Sequence, residues 1–162
     1  MIALSRICLQ RKILPVIPLA IADGRQAITY VRRHAEVYKI AVDRIGIMGF
    51  SAGGLVAAAT AFEYTAENRP DFVVPVYADL PEWIQDPMLP SAPPLFLACT
   101  QDDEFGFVTH ALKLYTKWYT AQRPVEMHLY TKGGHGFGVG NIVDTTYQWL
   151  DQLSRLLAVL GM

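Results

Sequence analysis

The sequence has only two cysteines, Cys8 and Cys99, and the second lies inside an apolar run. A scaffold held by disulfides is therefore not indicated. The acids and histidines do not recur at the spacing of metal ligands, and we expect no metal site. No glycine-rich phosphate-binding loop is found either, so no cofactor is predicted.

The sequence also has no excess of charge of one sign, since 14 basic and 15 acidic residues give a formal charge of −1. Nucleic acid and anionic membranes are therefore not expected partners. No apolar stretch reaches the roughly 18 residues of a membrane-spanning helix. The segment 13–22 resembles a targeting signal, but Pro15 and Pro18 interrupt it and favour a strand or connector. We expect a soluble, cytoplasmic protein.

What the sequence has in abundance is apolar residues, which make up 52% of the chain against 18% charged residues. This balance is typical of a well-buried globule. A length of 162 residues corresponds to one domain, here 1–162, with an atypical N-terminal segment over about residues 1–20.

Apolar periodicity predicts that helices alternate with short buried strands. This alternation favours an α/β fold in which a mostly parallel sheet has helices on both faces, because parallel neighbours cannot be joined by tight hairpins. The predicted helices are 23–39, 52–62, 108–119 and 141–160, and the predicted strands are 45–50, 72–77, 94–100 and 125–130.

The segment Gly49-Phe50-Ser51-Ala52-Gly53 matches the G-x-S-x-G nucleophile elbow and lies between a predicted strand and a predicted helix. Side chains at both glycine positions would collide with neighbouring backbone, so the sharp turn forces the serine hydroxyl outward. The alternative is that these residues form only a tight strand-to-helix turn.

A serine nucleophile requires a base and a group that orients the base. His135 lies in the glycine-rich loop 133–137 after the last predicted strand, whereas His34, His110 and His128 fall within helices or strands where surface or packing roles suffice. For the acid, Asp102 and Asp103 both follow the third predicted strand. The serine, acid and histidine thus all follow strand ends, where open α/β sheets place their ligands.

From about Pro18 onward, these residues resemble the α/β-hydrolase superfamily, specifically its small carboxylesterase members of the acetyl-esterase, feruloyl-esterase and hormone-sensitive-lipase types. The resemblance rests on four short segments, 43–45, 49–54, 102–103 and 129–137. Relatives carry a further N-terminal part with a His-Gly-Gly-Gly-like oxyanion loop, which this sequence does not contain, so we expect an N-terminally truncated α/β-hydrolase fold.

The resemblance implies that Ser51 is the nucleophile, His135 the general base and Asp103 the orienting acid, with Asp102 as the second choice. Gly106 departs from the small apolar residue that relatives carry three positions after the acid, which weakens the choice between the two aspartates. Of the usual oxyanion-hole donors, only the N–H of Ala52 is carried over. A sheet that ends beside the elbow strand would expose an edge, so we expect a homo-oligomer.

The function predicted from these features is hydrolysis of short-chain carboxylic esters through an acyl-enzyme. One alternative is a noncatalytic remnant of the fold that acts as a binding or assembly module. Another keeps the triad for peptide or lactone hydrolysis. Aromatic and apolar side chains near the triad loops suggest an apolar pocket, although each of them could equally close the core: Trp83, Ile84, Met88, Leu89, Phe105, Phe107 and Phe137.

Overall fold

The computed structural model describes residues 15–81, 90–139 and 144–162. All four predicted strands are present, and helices lie between most of them, although the described residues contain no helix between β2 and β3. In chain order the elements are α1 (Ile17–Arg33), α2 (Ala35–Tyr38), β1 (Ile47–Phe50), α3 (Ala52–Ala59), β2 (Val73–Val76), β3 (Leu95–Thr100), α4 (Val108–Thr120), β4 (Val125–Tyr130), a 3₁₀ turn (Thr145–Gln148) and α5 (Trp149–Val159).

The strands form one four-stranded parallel sheet in the order β1-β2-β3-β4. Phe50 lies opposite Val76, Val76 lies opposite Ala98, and Thr100 lies opposite Tyr130. Because all strands run in the same direction, their carboxyl ends share one edge of the sheet. The residues that follow β1, β2 and β3 are therefore brought together at that edge.

The two central strands, β2 and β3, are buried along their whole length. Successive strand residues point to opposite faces, and each face packs against helices, as the predicted fold class requires. On one face the core includes Val73, Leu95, Leu97, Ile21, Leu55, Leu114 and Trp118, and on the other Val74, Val76, Phe96, Ala98, Trp149 and Leu153. Helices α1, α3 and α4 cover the first face, and α5 covers the second.

The first helix begins six residues earlier than predicted, at Ile17 rather than Asp23. The expectation of a strand or connector over 13–22 is therefore wrong from Ile17 onward. Pro18 lies in the first turn of α1, where a missing N–H costs no hydrogen bond. Ile17 and Ile21, one turn apart, are buried in the core, and this packing extends the helix through the apolar run.

Three predicted regions lie partly outside the described residues. Most of the N-terminal segment 1–20, with Cys8, is one of them, and the loop residues Trp83, Ile84, Met88 and Leu89 are another. The third is the start of the last helix, which was predicted at Asn141. In the described residues a 3₁₀ turn begins at Thr145 and the α-helix begins at Trp149.

Arg32, at the end of α1, holds the loops that lead into β1 and β2. Its guanidinium donates to the carbonyl oxygens of Val42, Glu67 and Arg69 and to Oδ2 of Asp71, at 2.7–3.0 Å. The same Asp71 oxygen accepts the N–H of Ile45 at 2.9 Å, so this ion pair links the chain before β1 to the chain before β2. Within the described residues, no helix is both long and apolar enough to cross a bilayer.

Candidate active site

Ser51 occupies the turn between β1 and α3 with φ 52° and ψ −118°. This is a strained conformation for a non-glycine residue, typical of a functional site. Its N–H donates to the carbonyl of Val76 on β2, and its own carbonyl accepts from Leu55 in α3, at 3.0 and 3.1 Å. The strand on one side and the helix on the other thus hold the strained turn.

The glycines around Ser51 are not equivalent. A Cβ on Gly49 would lie 2.0 Å from the carbonyl oxygen of Gly53, which forbids a side chain there. A Cβ on Gly53 would meet no atom of the described residues within 4 Å, so the predicted collision at this second motif glycine is wrong. The crowded position is instead Gly54, whose Cβ would lie 2.8 Å from that of Ala78.

The hydroxyl of Ser51 lies 2.8 Å from Nε2 of His135. The imidazole reaches the serine from the loop after β4, in which Gly134 has φ 64°, a left-handed conformation that favours glycine. Thr100, the last residue of β3, donates its hydroxyl to the carbonyl of Gly134 at 2.9 Å. The histidine loop is therefore attached to the end of the neighbouring strand.

Asp103, and not Asp102, contacts the imidazole. Its Oδ2 lies 3.0 Å from Nδ1 of His135, and its Oδ1 accepts the N–H of Phe105 at 2.8 Å. The Asp103 side chain is fully buried. A carboxylate beside Nδ1 requires the proton on that nitrogen, which leaves Nε2 to accept the hydroxyl proton of Ser51.

Asp102 and Glu104, on either side of Asp103, bind backbone amides of the histidine loop. Asp102 Oδ1 accepts the N–H of Gly134 at 2.8 Å, and Glu104 Oε2 accepts the N–H of His135 at 2.9 Å. The Gly134 amide lowers the pKa of Asp102, and the His135 amide lowers the pKa of Glu104. Both side chains therefore bind as carboxylates.

Three aromatic rings surround the imidazole of His135. Tyr77, Phe105 and Phe107 each approach it edge to face, with ring centroids 4.9, 4.7 and 5.3 Å away. Tyr77 follows β2 directly, has φ 38°, and also packs against Phe137 at 4.8 Å. Burial raises the pKa of Tyr77, so the phenol stays protonated. Sequence reasoning did not single out Tyr77, although its place after the neighbouring strand was a usable signal.

Ala52 is the first residue of α3, where the N–H has no partner within the helix. No acceptor for this N–H is found in the part of the chain that the structure describes. It is thus open to an oxygen atom beside Ser51, as the predicted oxyanion-hole role requires.

The other histidines lie elsewhere and have partners of their own. His34 donates its Nδ1–H to the carbonyl of Tyr30, His110 has Nδ1 2.8 Å from Asp79, and His128 pairs with Glu126 at 2.6 Å. Cys99 is buried, and burial raises the pKa of its thiol to about 12, so it is not a competing nucleophile. Across residues 15–81, 90–139 and 144–162, no cluster of three metal-ligating side chains occurs.

Comparison with known sequences gives two matches. The BD-FAE family model matches residues 12–79, which include the elbow. An acetylxylan esterase from Xylanibacter ruminicola is 27% identical over 165 residues, which covers 83% of this chain and 34% of the relative. This chain therefore corresponds to about one third of that relative's length.

Solved structures match over most of the chain. MGS-M1, an α/β hydrolase enzyme from a Medee basin deep-sea metagenome library, is 30% identical with a TM-score of 0.78, covering 88% of this chain and 65% of its own. An acetyl ester-xyloside bifunctional hydrolase from Caldicellulosiruptor lactoaceticus has a TM-score of 0.76 at 22% identity, covering 87% and 65%. With its parallel sheet covered by helices on both faces, the chain has the α/β-hydrolase fold of these structures and spans about two thirds of their length.

Proposed function

We propose that the protein is a serine carboxylesterase in which Ser51 is the nucleophile, His135 the general base and Asp103 the orienting acid. The observation that carries this proposal is the continuous hydrogen-bonded chain Ser51 Oγ, His135 Nε2, His135 Nδ1 and Asp103 Oδ2, with links of 2.8 and 3.0 Å. This order of donors and acceptors is the one that proton removal from a serine requires. The identity to an acetylxylan esterase supports an ester substrate with a short acyl group.

In the proposed reaction, Oγ of Ser51 attacks the ester carbonyl carbon while its proton moves to Nε2 of His135. Asp103 remains ionised and stabilises the imidazolium that forms. The carbonyl oxygen becomes an oxyanion that accepts the N–H of Ala52. When the tetrahedral intermediate collapses, the alcohol leaves with the proton from Nε2, and water then repeats the sequence to release the acid and regenerate the serine.

The aromatic rings around His135 support this assignment for a second reason. Tyr77 and Phe107 pack edge to face against the imidazole and leave it few orientations, so Nε2 stays aimed at Ser51. An oriented base is what acyl transfer requires. These rings also give the site an apolar wall, which suits an acyl group better than a charged one.

The test is covalent labelling followed by kinetics. A fluorophosphonate probe should add one phosphonyl group to the wild-type chain at Ser51, as measured by intact mass and peptide mapping. Ser51→Ala should remove both the label and the hydrolysis of p-nitrophenyl acetate without loss of folded structure. His135→Ala is the matched control, because it keeps the hydroxyl but removes its activation. Hydrolysis by Ser51→Ala at the wild-type rate would exclude the proposal.

A homo-oligomer remains part of the proposal. Within the described residues β1 pairs with β2 alone, and Met48 on β1 is 49% exposed. An open strand edge with an exposed apolar side chain favours association with a second copy. Light scattering after size-exclusion chromatography should give a mass above the 18.1 kDa of one chain. A monomer over a wide concentration range would contradict this expectation.

A further inference from the structure

Three consecutive carboxylates each bind a different group of the same short loop. Asp103 accepts a hydrogen bond from Nδ1 of His135, Asp102 accepts one from the Gly134 amide, and Glu104 accepts one from the His135 amide. These distances are 3.0, 2.8 and 2.9 Å, all within the range of good hydrogen bonds. The residue that carries the imidazole is therefore held through both its side chain and its own backbone.

The histidine loop needs such support because its glycines give it many conformations. Gly134 and Gly136 both have positive φ, and neither carries a side chain that could pack to fix the loop. A shift of the loop backbone by a fraction of an ångström moves the imidazole relative to two partners at once. When two catalytic groups must be in contact, a small displacement of one of them strongly lowers the reaction rate.

We propose that Asp102 and Glu104 are positioning residues, which clamp the backbone at Gly134 and His135 so that the imidazole meets Ser51 and Asp103 together. The inference rests on the proposed function for its catalytic consequence, but the clamp itself is a property of the geometry. Asp103 is buried and cannot move to follow a displaced imidazole, so the amide contacts of Asp102 and Glu104 add to the bond from Thr100 to the Gly134 carbonyl in fixing the loop.

The two carboxylates differ from ordinary surface acids in what they face. Each carboxylate accepts a hydrogen bond from a backbone N–H group rather than from a lysine or arginine, so the contact restrains the backbone and not another flexible side chain. Amide donors also lower the pKa of both groups, because they bind the ionised carboxylates. Charge-assisted hydrogen bonds of this type are stronger than neutral ones.

The kinetic test compares Asp102→Ala and Glu104→Ala with Asp102→Asn and Glu104→Gln. Each alanine variant should lower kcat by about five- to tenfold with little change in KM, because the loss of one such hydrogen bond displaces the base and not the substrate. The amide variants keep a carbonyl oxygen that accepts the same N–H, so they should retain most of the activity. Glu36→Ala, an exposed acid on α2, is the control and should leave kcat unchanged.

A second readout does not depend on turnover. The Nδ1–H of His135, bound to Asp103, should give a far-downfield proton NMR signal that His135→Ala removes. In the Asp102→Ala/Glu104→Ala double variant this signal should shift or broaden while the fold is retained by circular dichroism. An unchanged signal, or alanine variants with wild-type kcat, would overturn the clamp. A wild-type protein that shows the signal but hydrolyses no ester would refute the proposed function and leave the clamp standing.

Discussion

Tyr77 and His135 lie edge to face with their ring centroids 4.9 Å apart, although 58 positions of sequence separate them. Tyr77 follows β2, the strand that accepts the N–H of Ser51 through Val76. The neighbouring strand therefore holds the backbone of Ser51 and also places an aromatic ring against His135.

This arrangement predicts a difference between two substitutions at Tyr77. Tyr77→Phe keeps the ring against His135 and should change kcat by less than about threefold, because the aromatic contact orients the imidazole and the hydroxyl does not. Tyr77→Ala should lower kcat at least tenfold and destabilise the fold by about 3–5 kcal/mol, as expected for a buried aromatic ring. Urea unfolding and p-nitrophenyl acetate kinetics measure the two effects. Equal activity in the two variants would contradict the role of the ring.

The two glycines of the elbow motif should respond in opposite ways. Gly49→Ala places a Cβ 2.0 Å from backbone, so it should not give a folded, active protein. Gly53→Ala has room among the described residues and lies in the first turn of α3, where alanine is a better helix former than glycine by up to about 1 kcal/mol. We expect Gly53→Ala to fold with a Tm at or above that of wild type. A soluble, active Gly49→Ala would show that the turn can relax.

Most of the fold followed from local patterns in the sequence. The strand 125–130 was predicted with its observed bounds, and β1 to β3 within two residues, because buried parallel strands are short apolar runs bounded by turn residues. The start of α1 was missed since two prolines suggested an interruption, whereas a proline in the first helical turn costs little. The local sequence pattern could not predict that Ile17 packs in the core, and this tertiary packing is what extends the helix.

The candidate site was only partly visible in the sequence. Ser51 and His135 stand out because each lies between glycines at a strand end, and the structure brings them to hydrogen-bonding distance. Position after the third strand left Asp102 and Asp103 both open, and only the family resemblance favoured Asp103. Which of two adjacent carboxylates faces inward depends on the path of the turn after Thr100, and this path is set by contacts with a loop 32 residues away.

Low pH should lower the free energy of unfolding through protonation of Asp102 and Glu104. Their pKa values in the fold lie below the ordinary 3.8 and 4.5, because backbone amides bind the ionised forms. Their stabilisation is therefore fully present above these ordinary values and is lost as pH falls through the lowered values of the folded state. The double variant Asp102→Asn/Glu104→Gln should show a shallower decline of the free energy of unfolding below about pH 4. Parallel declines in wild type and variant would contradict the assignment.

Arg32 should contribute far more to stability than the neighbouring Arg33. Arg32→Ala removes the guanidinium donor from the Asp71 carboxylate and from three carbonyl groups, and should lower the free energy of unfolding by about 2–3 kcal/mol. Lysine cannot reproduce the planar fork, so Arg32→Lys should recover only part of this loss. Arg33 pairs with Glu67 at the surface, and Arg33→Ala should cost less than about 1 kcal/mol. Similar losses of unfolding free energy in both alanine variants, measured by urea unfolding, would show that the partly buried ion pair of Arg32 and Asp71 adds nothing specific.

The strain at Ser51 predicts that activity and stability can be separated at one position. A backbone conformation with φ 52° and ψ −118° costs free energy for any residue that has a side chain, and little for glycine. Ser51→Gly should therefore raise the free energy of unfolding by about 1–2 kcal/mol over Ser51→Ala, which keeps the Cβ and the strain. Both variants lack the hydroxyl and should be equally inactive, so activity loss cannot account for the difference. If Ser51→Ala and Ser51→Gly unfold at the same urea concentration, the elbow is not strained, and the outward orientation of the serine must be held by its hydrogen bonds to Val76 and Leu55 alone.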